Sequence, residues 1–290
     1  MSIHPESLQN LKIIVCDLDG TLVNMKKEIM PISEKVLIQL EQQGYILILA
    51  SGRFFYETFE YIKQLKMLEY PSYVLCANGC EIHDLQARKK YTFPTLDSLM
   101  LSHLIQAAEK HRLVCYFNEN KQYHIHLPKQ GMQSIVQTMQ TKSKAMFQQA
   151  HGHFINSFHS YDFSNYEPQE LLKMCFLGLP EDIKTFKQDM RRQYKDYIFY
   201  DVNEMVTEIV RKEVGKKEAM EFILSKLPYT MDQVLCFGDA GNDVKLLKEA
   251  GLGIAMSNAM RNAKGASDYI CPYSCEEDGV GKMLEALFFN

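Results

Sequence analysis

The chain has 290 residues, 46% hydrophobic and 23% charged, with a formal net charge of −4; this is the composition of an ordinary globular protein, long enough for two domains and a sizeable core. The weakly acidic balance gives no reason to expect nucleic-acid or anionic-membrane binding, so any affinity for phosphate must be local. No apolar stretch approaches the ~20 residues of a membrane span, and the polar start MSIHPESLQN, with an apolar run that stops at Asp17, argues against a secretory signal; a cytoplasmic setting is expected.

The first predicted strand, near 12–16, contains Ile13-Ile14-Val15, an apolar run typical of a strand buried on both faces. Asp17 and Asp19 follow, and carboxylates belong at such a strand only where it ends. Gly20 lets the backbone turn sharply beyond them. Two carboxylates this close repel, so one is protonated or a cation sits between them, and all-oxygen ligands favour a hard divalent ion such as Mg²⁺. After a helical stretch near 33–43, the strand near 45–50 runs into Ser51-Gly52-Arg53. A hydroxyl and free N–H groups ahead of the next helix, near 54–68, make an anion seat. The strand near 72–76 leads to an Asn78-Gly79 turn, where Asn78 is expected at positive φ.

Residues 84–195 interrupt this alternation with helices near 95–111, 128–142 and 180–194 and with more amphipathic strands at Val114–Phe117 and Tyr123–Leu127. The βα pattern is expected to resume with a strand near 205–210 and a helix near 216–226 that starts at Lys216. An ammonium there suits a phosphoryl oxygen. The strand near 234–237 then repeats the first design, with Gly238-Asp239 and Asp243 at its end, before a helix near 243–250, a strand near 252–255 and a helix near 258–265. The expected fold class is α/β: a Rossmann-like, doubly wound parallel sheet core over 1–83 and 196–290 with an inserted α+β segment over 84–195. Ligands of such sheets bind beyond the carboxyl edge.

Five of the eight cysteines lie in strand-like apolar runs, and Cys76/Cys80 and Cys271/Cys275 are spaced by three residues rather than the two of zinc ribbons. Buried reduced thiols are expected. The His151-Gly152-His153 pair has no nearby acids and reads as a solvated loop.

DLDGT at 17–21, ASGR at 50–53, Lys216 and GDAGND at 238–243 together resemble the four ordered motifs of the haloacid dehalogenase (HAD) superfamily of aspartate-nucleophile phosphatases. CANGCEI at 76–82, AMSNAMRNAKGASDYI at 255–270 and EDGVGKMLE at 277–285 narrow the likeness to Cof-type sugar-phosphate phosphatases, and LKMCFLGLPEDI at 172–183 is similar to their cap segment. The resemblance spans roughly 11–288. Ser51 stands where Thr is commoner and keeps the hydroxyl. Lys217 stands where Gly usually follows the motif lysine; Lys216 is preferred because Ala219, Met220 and Ile223 then face the core. The resemblance implies a Mg²⁺-dependent phosphatase of small phosphomonoesters working through an aspartyl-phosphate. Asp17 would be the nucleophile and Asp19 the acid/base. Leu18 and Gly52 amides, Ser51, Lys216 and Asn242 would bind phosphate, and Asn78 would face the substrate. Asp17, Asp239, the Asp19 carbonyl and, through water, Asp243 would hold the metal. The inserted segment would be a large cap whose carboxylates offer Arg53 a partner. A phosphomutase of similar fold or, less in keeping with Asp19, a non-catalytic sugar-phosphate-binding regulator are the alternatives.

Overall fold

A computed structural model describes residues 5–93, 96–119, 122–130 and 171–289. Contacts divide the chain into two compact units, Met1–Phe93 with Val214–Asn290, and Pro94–Glu213. In chain order the first stretch holds α1 (Pro5–Asn10), β1 (Ile13–Cys16), α2 (Pro31–Gln42), β2 (Ile46–Ala50), α3 (Phe59–Gln64), β3 (Ser72–Cys76), β4 (Glu81–Asp84) and β5 (Lys89–Thr92). The second unit holds α4 (Ser98–Lys110), β6 (Val114–Glu119), β7 (Gln122–His126), β8 (Met174–Leu177), α5 (Pro180–Gln193), β9 (Tyr197–Asn203) and β10 (Val206–Arg211). The chain returns through α6 (Lys216–Leu224), β11 (Val234–Gly238), α7 (Val244–Glu249), β12 (Leu252–Ala255), α8 (Arg261–Ala266), β13 (Tyr269–Ile270) and α9 (Gly279–Phe288).

The first unit is built on an eight-stranded sheet of order β13-β12-β11-β1-β2-β3-β4-β5, parallel from β13 to β3 and closed by the antiparallel β4 and β5. β1 lies in the interior of the order and all four of its residues are buried, as the apolar run requires. This is the expected α/β architecture. Helix α2 begins with Pro31 at its first turn, and Val36, Leu37 and Leu40 face the core.

The second unit is an antiparallel sheet of order β7-β6-β8-β10-β9. Cys115, Phe117, Phe176 and Ile209 pack with Leu101, Leu104, Ile183 and Phe186 of α4 and α5 in one cluster, while Val114, Tyr116, Cys175, Leu177 and Val206 form another. Asp97 caps α4 by accepting from the Met100 N–H at 2.8 Å.

The contacts move both expected boundaries, 84 and 195. β4 and β5 extend the first sheet, because the Ala77-Asn78-Gly79 turn, with φ of 48°, 60° and 91°, reverses the chain straight after β3. The strand expected near 205–210 forms, but as β10 of the second sheet, between β8 and β9. Its residues are buried through Val210, Thr207 and Glu208 included, so it carries the same signal as a parallel core strand. The helix expected over 54–68 is shorter, Phe59–Gln64, because Phe54 is extended ahead of a 3-10 turn at Phe55–Glu57 and Lys66 takes a left-handed φ of 58°. Most of the helix expected near 128–142, and His151 and His153, lie outside the described residues. No helix among the described residues is long and apolar enough to cross a membrane.

Candidate active site

The carboxyl ends of β1, β2, β3 and β11 meet on one edge of the first sheet. The Asp17 N–H donates to the Phe237 carbonyl at 3.0 Å, which binds the β1 and β11 loops together. Gly20 holds φ +84°, and a Cβ there would stand 2.4 Å from Asp239 Oδ2, so only glycine admits both the turn and the neighbouring acid. Asp17, Asp239 and Asp243 bring carboxylate oxygens within 4.8 Å of one another.

Lys216, buried at the start of α6, serves two of them. Its Nζ donates to Asp17 Oδ1 at 2.5 Å and to Asp243 Oδ1 at 2.6 Å. Burial works against its charge, but Asp17 and Asp243 outweigh burial and raise it above its ordinary value, so it remains an ammonium. Ala219, Met220 and Ile223 are buried as the helical register requires, and Lys217 points elsewhere, to Glu221 and Glu249. Asp243 Oδ2 accepts from the Asp239 and Ala240 N–H groups, both at 3.0 Å. Burial pushes the Asp17 carboxyl up, Lys216 opposes it and Asp243 adds to it, leaving Asp17 at about 7. Asp239 is raised well above the carboxylate range, first by burial and then by Asp17 and Asp243.

These shifts describe a site with excess negative charge. Three clustered carboxylates face one ammonium, and a divalent cation would cancel the remaining two charges. The donors are all oxygens, which suits a hard divalent ion, and the residues therefore fit one.

Asp19 has different neighbours. Arg53 grips it with Nε to Oδ2 at 2.6 Å and Nη2 to Oδ1 at 2.7 Å, and Lys27 Nζ adds a bond to Oδ1 at 2.5 Å. Burial alone would raise this carboxyl, but Arg53 and then Lys27 overcome it and hold Asp19 at about 2. Arg53 thus finds its carboxylate within the first unit, two residues from Asp17, and not in the inserted segment as expected. Its Nη1 also donates to Tyr61 Oη at 3.0 Å, and Tyr61 donates to the Lys27 carbonyl at 3.1 Å.

Ser51 is buried at the end of β2; its N–H donates to the Leu75 carbonyl at 2.8 Å, and its Oγ accepts from the Arg53 N–H at 3.2 Å. The Ser51 carbonyl accepts from the Asn78 N–H at 3.1 Å, and Asn242 Nδ2 donates to Asn78 Oδ1 at 2.9 Å. Asn78 takes the expected positive φ, 60°. Leu18 follows β1 beside Asp17, and Gly52 follows β2 beside Ser51. Sequence reasoning missed Lys27, Thr21, whose Oγ1 donates to Asp239 Oδ1 at 3.4 Å, and Tyr61. Lys27 sits in a polar loop at φ 65°, and nothing in a Lys-Lys pair marks which member bends inward.

A model of the haloacid dehalogenase-like hydrolases matches residues 14–284. The chain belongs to this family. It is 26% identical over 285 residues to the 5-amino-6-(5-phospho-D-ribitylamino)uracil phosphatase YcsE of Bacillus subtilis, covering 98% of each chain. It is 24% identical to the phosphatase YwpJ of the same organism, over 96% of this chain and all of that one. A haloacid dehalogenase-like hydrolase from Bacteroides thetaiotaomicron superposes with a TM-score of 0.77 at 27% identity, over 96% of this chain and 100% of that one. A HAD subclass IIB sugar phosphatase shares the fold, with a TM-score of 0.75 at 19% identity over 95% and 98% of the two chains. The class of this HAD member is phosphomonoester hydrolase, and the aspartate cluster is its candidate divalent-cation site.

Proposed function

We propose that the chain hydrolyses small phosphomonoesters, sugar phosphates first among them, through an aspartyl-phosphate on Asp17 with Mg²⁺ as the cation. The observation that carries the reading is Asp17 itself: a buried carboxylate at the end of a core strand, bonded to Lys216 and clustered with Asp239 and Asp243. Support for the substrate class comes from the phosphoribityl compound in the name of the Bacillus relative and the sugar phosphatase among the structural neighbours.

In this reading Asp17 attacks phosphorus in line and the leaving oxygen departs with a proton from Asp19. Asp19 then takes a proton from the water that hydrolyses the aspartyl-phosphate. The two steps need opposite protonation states, and the grip of Arg53 and Lys27 presents the second, the carboxylate. Lys216 and Asn242 bind equatorial phosphoryl oxygens together with Ser51 and the Leu18 and Gly52 amides, and Asn78 orients Asn242 toward the substrate side. Mg²⁺, when bound, neutralises charge developing on the phosphoryl group. Asp17 and Asp239 would hold it directly with the Asp19 carbonyl, and Asp243 through water, because both Asp243 oxygens already accept hydrogen bonds. Residues 94–213 serve as the cap that reads the leaving group. The eight buried cysteines, none in a disulfide, support a reducing, cytoplasmic setting.

The test is phosphate release across sugar phosphates, nucleotides and cofactor phosphates, with no bisphosphate activator added. Release that stops in excess chelator and returns with Mg²⁺ supports the reading. Full activity in chelator contradicts the metal assignment, and turnover that requires a bisphosphate favours a mutase.

A further inference from the structure

Three side chains outside the aspartate cluster converge on one face of the β3–β4 pair. Cys76 and Glu81 are direct partners across the antiparallel ladder, and His83 stands two residues beyond Glu81, on the same face. Each offers a ligand atom, and these atoms lie within 4.8 Å of one another. His83 Nε2 is 2.5 Å from Glu81 Oε1. The imidazole stacks on the Phe55 ring with centroids 3.6 Å apart and planes 9° from parallel, which fixes the plane in which its nitrogens point.

The environment is graded. Cys76 is fully buried, while the Glu81 and His83 side chains are 13% and 15% exposed. An ion could therefore enter from the imidazole–carboxylate side and keep a water as its fourth ligand. Lys90 Nζ stands 3.5 Å from Glu81 Oε2 on a side chain 58% exposed, so it can swing into solvent when a cation arrives. A thiolate, an imidazole and a carboxylate form the mixed S/N/O donor set that selects Zn²⁺-type ions, whereas the aspartate cluster offers oxygens alone.

We propose that Cys76, Glu81 and His83 bind a Zn²⁺-class divalent ion at a second site, separate from the cation of the aspartates. On binding, the Cys76 thiol gives its proton to solvent, and the S–metal bond replaces the S–H bond without any redox change. The His83 Nε2–Glu81 hydrogen bond opens to admit the ion between them. The sequence obscured this trio because Cys76 pairs by spacing with Cys80, whereas its partners in space come from the next strand.

The test uses the full chain in excess Mg²⁺, titrated with Co²⁺ as an optical substitute for Zn²⁺. One equivalent should produce a near-ultraviolet sulfur-to-cobalt charge-transfer band, which Zn²⁺ then abolishes. His83→Ala and Cys76→Ser should weaken binding by more than the ~10–100-fold that loss of an outer-shell partner costs. Asp239→Asn should leave the band in place. If Cys76→Ser does not fold, His83→Ala, at a partly exposed position, decides the matter. Absence of a thiolate band in the wild type, or a band unchanged in both His83→Ala and Glu81→Gln, would overturn the proposal.

Discussion

Asp19 is held by three bonds from two cations, and Arg53 supplies two of them in the bidentate geometry that lysine cannot reproduce. Arg53→Ala should therefore leave Asp17, Lys216 and the metal ligands in place but free the Asp19 carboxylate to wander. General acid–base help is worth about 10²–10⁴-fold, so release from an alkyl phosphate should fall by at least ~10²-fold. An aryl phosphate, whose leaving group needs little protonation, should lose far less. The ratio of the two rates measures the effect, and an equal loss on both substrates would mean that Arg53 acts on something other than Asp19. Much of this site was legible in the chain: two acids at a strand end, a second pair at 239 and 243, and Lys216 chosen by helix register. The Arg53 partner was not, because the contact joins two loops 34 residues apart whose meeting depends on β1 and β2 being neighbours.

Helices α2 and α9 are joined by a polar device within an apolar interface. Asp278 accepts from the Ile32 N–H at 2.7 Å, the Ser33 N–H at 3.0 Å and the Ser33 hydroxyl, and Ser33 Oγ accepts from the Gly281 N–H at 2.8 Å. A Cβ at Gly281 would stand 2.3 Å from the Ser33 nitrogen. The EDGVGK motif thus caps α2 and seats α9. Asp278→Ala should cost about 2–3 kcal/mol by orphaning buried donors, read as a lower urea midpoint with phosphate release per folded molecule unchanged. Glu41, on the opposite end of α2, accepts from Ser72 Oγ at 2.7 Å, while its other oxygen is buried with no hydrogen-bond partner among the described residues. Burial raises it from 4.5 to about 7, against the opposing Ser72 bond and with the Glu69 charge adding to the rise. The folded state thus binds this proton more tightly than the unfolded state. Its contribution is full below the ordinary value and is lost as pH rises toward 7. Glu41→Gln should then add on the order of 1–3 kcal/mol at about pH 8 and little at about pH 4, as urea titrations at the two pH values would show. The strand pattern was legible for β1, β2, β3, β11 and β12. It misassigned β10, whose buried Glu208 is matched by Lys173 at 2.7 Å, because burial on both faces is shared by parallel and antiparallel interior strands.

The two units each carry their own apolar clusters: one drawn from residues 11–85 and 219–284, the others from residues 96–209. Deleting 94–213 and bridging the ends should leave a folded first unit, whereas deleting 84–195 would strip β5 from its sheet and leave β9 and β10 without β8. Circular dichroism separates the outcomes. The trimmed protein should still hydrolyse a small aryl phosphate and lose its ranking among sugar phosphates, since a leaving group is read only by what touches it. An unchanged ranking would place selectivity in the first unit. The two-part organisation was legible because periodicity changes past the third strand; its borders were not, since the β4–β5 hairpin alternates like the strands that follow it. Asp17→Asn tests the central claim most directly. It keeps the size and removes the nucleophile, so phosphate release should fall by at least ~10³-fold, about 4 kcal/mol of barrier, in a protein that still folds. A folded Asp17→Asn variant that retained more than about a tenth of wild-type turnover would contradict the account.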